Sequence, residues 1–198
     1  IDWKVFARTD RLYTKQYEEE TNLRCVIALD CSSSMYYPQG KHTKLNFSIY
    51  AASALAQLLS RQRDAVGLCF FTDKIEELTP VKSTASHLDK LFTLLEKRVR
   101  TEITPGKGTR VAEVLHEVAE KTHRRSLVII FSDMFDGGNE EEIFKALQHL
   151  KHNKHEVILF HVTDHTTELA FQFDDRPYEF VDLESGEKLL LNPQEIKD

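Results

Sequence analysis

At 198 residues, 41% of them hydrophobic and 10% aromatic, the chain has material for one sizeable core, and a single domain is expected. Its 32 acidic and 26 basic residues give a formal charge of -6, which offers no basic field to a phosphate backbone and argues against nucleic acid as a partner. Three scattered cysteines, Cys25, Cys31 and Cys69, make no disulfide framework and no Cys-x-x-Cys pair, so a reducing, cytoplasmic setting is expected, and no apolar run reaches the ~20 residues that cross a bilayer.

In chain order, Leu12 to Tyr17 alternates with Tyr13 and Tyr17 on one side and predicts an exposed edge strand. Leu23 to Leu29 is a continuous apolar run, as expected of a parallel strand buried on both faces. Leu45, Ile49, Ala52, Leu55 and Leu59 recur at three- and four-residue steps and predict a helix with one apolar stripe. Ala65 to Phe71 reads as a second, weaker buried strand, and Leu88, Leu91 and Leu95 as the stripe of the next helix. Pro105-Gly106-Lys107-Gly108-Thr109 is a glycine-rich loop that opens a helix with Val111, Leu115 and Val118 on its buried side.

Ser126 to Phe131 repeats the buried-strand pattern. Asn139 then reads as a helix cap, followed by Glu140, Glu141 and Glu142, whose charges suit the positive end of a helix dipole, with Ile143, Leu147 and Leu150 as the buried stripe. Glu156 to Val162 is a fourth strand, and all four are expected inside the sheet. Tyr178 to Leu183, Ser185-Gly186 and Lys188 to Leu191 predict a hairpin. Strands alternating with helices imply βαβ crossovers. The fold class is therefore α/β, a doubly wound, mostly parallel Rossmann-like sheet with helices on both faces and a C-terminal β-hairpin.

Ligands of open parallel sheets bind beyond the carboxyl ends of the strands. There the first strand is followed by Asp30-Cys31-Ser32-Ser33-Ser34, and the 127–131 run by Ser132-Asp133-Met134-Phe135-Asp136. A loop leaving a strand can turn alternate side chains inward, so Asp30, Ser32 and Ser34 converge while Cys31 and Ser33 face elsewhere. With Thr109 and Asp133 they offer only hard oxygens. That set suits Mg2+, with Mn2+ as the other candidate, and lacks the soft ligands zinc or copper would take.

Asp30-x-Ser32-x-Ser34, the helix-opening Thr109 and Asp133 resemble the metal-ion-dependent adhesion site of von Willebrand factor type A domains. More closely, Ile1-Asp2-Trp3-Lys4 with Ala7-Arg8, then Glu18-Glu19-Glu20-Thr21, resemble the bacterial branch known as domain of unknown function fifty-eight. The resemblance divides the chain into an N-terminal family-specific extension with the edge strand (1–22), the von Willebrand factor A-like domain (23–176) and a hairpin extension of that domain (177–198). It implies that Ser32, Ser34 and Thr109 bind the metal directly while Asp30 and Asp133 act mainly through water. Such a cation keeps an open position for a Glu or Asp of a partner protein. The resemblance further implies a MoxR-type AAA+ ATPase as the partner, with this chain as its noncatalytic adaptor. Arg110 stands where relatives often carry an acidic residue; it either weakens metal binding or helps hold the partner's carboxylate.

Plainer readings stand beside these. Serines after a strand also serve as turn and cap residues. Asp136 reads first as a turn carboxylate before Gly137-Gly138 and second as a group behind the metal or toward the partner. His149, His152 and His155 share a helix end with Lys151 and Lys154, where cations suit the dipole, so a zinc site there is not expected. Gly40-Lys41 and Gly106-Lys107 lack the rest of a phosphate-binding loop. The competing function is a Mg2+-dependent phosphotransferase or hydrolase using Asp30 as nucleophile. Ser32 opposes that reading, because it occupies the place where such enzymes put a second carboxylate.

Overall fold

The fold comes from a computed structural model, which describes residues 22–38, 40, 42–100, 110–134, 140–183 and 186–193. Its centre is a five-stranded sheet in the order β3-β2-β1-β4-β5, made of β1 (Arg24–Asp30), β2 (Ala65–Phe71), β3 (Ile75–Leu78), β4 (Leu127–Ser132) and β5 (Glu156–His161). Strands β2, β1, β4 and β5 run parallel, and the short β3 pairs antiparallel with β2. Among the described residues four helices cover it: α1 (Lys44–Arg61), α2 (Ala85–Val99), α3 (Val111–Lys121) and α4 (Glu140–His152).

The apolar periodicities explain the layering. Odd-numbered residues of β1, Cys25, Ile27 and Leu29, face Leu45, Ile49, Ala52, Leu91 and Leu95 of α1 and α2 in one core. Even-numbered Val26 and Ala28 join Val111, Leu115, Val118, Ile143 and Leu150 of α3 and α4 in a second core on the opposite face. The three cysteines are free and buried in these layers. Burial pushes the thiols of Cys25, Cys31 and Cys69 up to about 12, so they behave as small apolar groups and not as nucleophiles.

Two features depart from the sequence reading. Among the described residues strand β5 is not an inner strand: it lies at the sheet edge, with Ile158, Leu159 and Phe160 exposed. An apolar run reports burial on average, and here it leaves an apolar face beside α1 uncovered. Strand β3 was not expected, because four residues, Ile-Glu-Glu-Leu, carry too little periodicity to stand out. The C-terminal hairpin forms as β6 (Tyr178–Val181) and β7 (Lys188–Leu191) in a separate two-stranded sheet. Both the edge strand at Leu12 to Tyr17 and the cap at Asn139 lie outside the described residues.

From β1 the chain winds outward through β2 to β3, then returns to place β4 on the other side of β1. Winding therefore reverses between β1 and β4. Loops leaving these two strands diverge to opposite faces and open a crevice between them, the usual place for a ligand in such sheets.

Candidate functional site

The register of β1 and β4 pairs Leu29 with Phe131, so Asp30 and Ser132 follow side by side at the crevice. Both are fully buried. The Ser132 hydroxyl donates to Asp30 Oδ2 at 2.7 Å, and the Ser32 backbone N–H donates to Asp30 Oδ1 at 2.9 Å. Ser132 Oγ also accepts from the Met134 N–H at 2.8 Å, and Met134 has a left-handed backbone, φ 55°. One hydroxyl thus ties the turn after β4 to the carboxylate that ends β1.

Ser32 sits in extended conformation ahead of a short 3-10 turn, Ser33–Tyr36, which brings the Ser32 and Ser34 hydroxyls within 3.0 Å of each other. Asp30, Ser32 and Ser34 are thereby gathered at one strand end. Asp133 is held by Lys44, whose Nζ lies 2.9 Å from Asp133 Oδ2 and 2.7 Å from Glu168 Oε1. Lys44 comes from the first turn of α1, behind Thr43, whose hydroxyl accepts the Asn46 N–H at 3.0 Å as the cap. Glu168 belongs to a π-helical turn, His165–Leu169, that follows β5. His161, at the end of β5, has its Nε2 3.1 Å from the Asp133 carbonyl oxygen.

Charge balance at the site is uneven. Burial pushes the Asp30 carboxyl up to about 7; the Ser132 hydroxyl opposes this and the negative charge of Asp133 adds to it. For Lys44, burial alone would lower the pKa, but Asp133 and Glu168 outweigh it and hold the ammonium above its ordinary value. Asp133 therefore has a cation, while the hydrogen-bond donors on Asp30, from Ser32 and Ser132, are neutral. A buried carboxylate in that position gains most from a positive charge placed between it and nearby hydroxyls.

The donor set fits a small hard cation: two carboxylates and the paired serine hydroxyls, all oxygen. Among the described residues no three His, Cys, Asp or Glu side chains gather as a metal cage. A cation here would accordingly depend on hydroxyls and water as well as carboxylates. Thr109 and Asp136 lie outside the described residues. Arg110 stands just before α3, with its guanidinium in solvent, 3.4 Å from Glu113 one turn on.

The histidine trio at the end of α4 is dispersed. His149 Nδ1 lies 2.9 Å from His116 Nδ1 of α3, and His155 is buried with its Nδ1 3.3 Å from the Ser126 N–H. Lys44 and Glu168 escape the sequence reading, which quotes Ser132 only as part of the loop after β4 and gives it no role. For Lys44 a signal existed: a cation in the first turn of a helix opposes the dipole and calls for a partner. Beside the site a cleft of about 540 Å³ opens between the start of α1 and the end of β5, lined by Thr43, Lys44, Phe47, Tyr50, Phe160 and His161 among others.

Residues 1–197 match the family model described as "Protein of unknown function DUF58". No curated protein matches the chain. Among solved structures it is similar to the conserved hypothetical protein BatB from Bacteroides thetaiotaomicron, at 15% identity over 87% of this chain and 82% of that one, with a TM-score of 0.55. An aerotolerance-related membrane protein from Bacteroides fragilis is similar to the same degree, at 14% identity over 88% and 83% of the two chains and a TM-score of 0.55. At such identities the likeness is one of fold.

Proposed function

The chain belongs to the DUF58 family of proteins of unknown function, and on the chemistry of its crevice we propose that it is a noncatalytic interaction module that holds Mg2+ and uses it to capture an acidic side chain of a partner protein. The observation that carries this reading is the convergence of Asp30, the Ser32 and Ser34 hydroxyls and Asp133 at the switch point of the sheet. Ser32 and Ser34, with Thr109, would hold the ion directly, and Asp30 and Asp133 would hold it mainly through water. That would be the arrangement of a von Willebrand factor A-like adhesion site, which the motif resembles. Such an ion keeps net positive charge and an open coordination position, and so attracts a carboxylate. The neighbouring cleft, with Phe47 and Tyr50 exposed on its rim, gives a partner segment apolar surface beside that position.

The partner class we propose, on the family resemblance, is a MoxR-type AAA+ ATPase, and the cytoplasmic setting we propose for it follows from the cysteine usage. Mn2+ would serve in place of Mg2+, and Arg110 and Asp136 would flank the partner. Capture of such an ATPase by the immobilised protein should occur in Mg2+, vanish in chelator and vanish in Ser32→Ala/Ser34→Ala. Capture that ignores both chelator and the double variant sinks the metal bridge. The enzymatic alternative finds less support: both Asp30 oxygens are engaged by neighbours, and Lys44 is held between two carboxylates instead of facing an open phosphate position. Phosphoester turnover abolished by Asp30→Asn would revive it.

A further inference from the structure

The Lys44 ammonium lies between two carboxylates, 2.9 Å from Asp133 and 2.7 Å from Glu168. Lys44 and Asp133 are almost completely buried, with side chains 5% and 6% exposed, whereas Glu168 is 34% exposed. Neither helix electrostatics nor solvation accounts for a cation at this place, since the start of α1 repels it and water scarcely reaches it. The carboxylates account for it. Without Lys44 the Asp133 charge would lie buried against Asp30, whose carboxyl it already disturbs.

Glu168 is positioned independently of Lys44. Its Oε2 accepts the Asp164 N–H at 2.7 Å, and its turn is fixed by Asp164, which accepts from the Thr167 N–H at 2.8 Å and the Thr167 hydroxyl at 2.6 Å. Tyr37, from the loop after β1, donates to Thr167 Oγ1 at 2.8 Å and ties the turn to the serine loop. Glu168 is thus a fixed second acceptor within reach of the amine. Lysine carries its charge as a point on a flexible stem, so a small pivot can release it from Asp133 while it stays on Glu168.

We propose that Lys44 is the resident counter-cation of this site: it balances Asp133 when no divalent ion is bound, and gives up Asp133 while staying on Glu168, which already holds it, when one arrives. The inference rests on the Mg2+-binding reading above. A divalent ion attracted to Asp133 meets the repulsion of Lys44, and Glu168 is the group that offsets it. Lys44 then sets how much Mg2+ the site demands, and Glu168 lowers that demand.

The test is calorimetric Mg2+ titration of wild type, Lys44→Met, Glu168→Gln and the double variant, with thermal melts in chelator and in Mg2+. Repulsion between like charges within a few ångströms in a protein interior justifies expecting about a tenfold tighter Kd in Lys44→Met, and loss of the carboxylate that offsets it about a tenfold weaker one in Glu168→Gln. In the double variant the Glu168 substitution should lose most of its effect, because it acts through the lysine. Lys44→Met should melt lower than wild type in chelator and recover in Mg2+, and Lys44→Arg, which keeps the charge, should bind Mg2+ close to wild type. A folded Lys44→Met whose Kd matches wild type overturns this inference and leaves the metal bridge standing. Binding in Lys44→Met with none in wild type supports Lys44 as the resident cation and overturns the metal bridge in the native protein. Binding in neither overturns both.

Discussion

Asp30 accepts hydrogen bonds from the Ser32 N–H and the Ser132 hydroxyl, yet burial still holds its carboxyl up at about 7. In the unfolded chain the same group titrates near ~3.9. Between those values the folded protein keeps a proton that the unfolded chain has released, so stability contributed by this group falls as pH rises and levels off above about 7. In chelator, melts should therefore show this limb falling from pH 5 to pH 8, and Asp30→Asn should flatten it. Added Mg2+ competes with that proton, so its stabilising effect should be larger at pH 8 than at pH 5. An Asp30→Asn profile parallel to wild type would show that Asp30 does not carry the penalty. The types and order of Asp30, Ser32, Ser34 and Asp133 could be read in the sequence because they follow apolar runs directly. The Lys44–Glu168 contact could not, since it joins residues 124 positions apart: the place of Lys44 in the first turn of a helix calls for a partner, but no local pattern points to Glu168.

At the scale of elements, buried parallel strands announce themselves as unbroken apolar runs, which is why β1, β2 and β4 fall within a residue or so of their expected spans. The helices follow from their stripes for the same reason. What periodicity cannot state is how far an edge is covered, and β5 shows it: the same kind of run, with three large apolar side chains exposed. Gly67 in β2 is a case where close approach, not conformation, fixes the residue. A Cβ there would lie 3.0 Å from Val81 Cγ2, 3.2 Å from the Thr79 oxygen and 3.3 Å from the Pro80 oxygen, two of them backbone atoms. Gly67→Ala should cost about 1–3 kcal/mol in denaturant unfolding through overpacking of the 79–82 segment on the strand. A neutral result would mean that this segment yields easily.

Across the whole molecule, the site lies where the sheet reverses its winding, so it draws side chains from loops after β1, β4 and β5 and from the start of α1. Among the described residues no helix is long and apolar enough to cross a membrane. Exposed Phe47, Tyr50, Ile158 and Phe160 gather on the side of the sheet that carries α1, next to the crevice, where a partner engaged at the ion would cover them. The central claim is that this crevice holds Mg2+ through the serine hydroxyls, and its most direct test is calorimetric titration of Mg2+ into wild type and Ser32→Ala/Ser34→Ala. The account predicts one saturable site in wild type and none in a folded double variant; identical titrations, or no Mg2+ uptake by wild type, would contradict it.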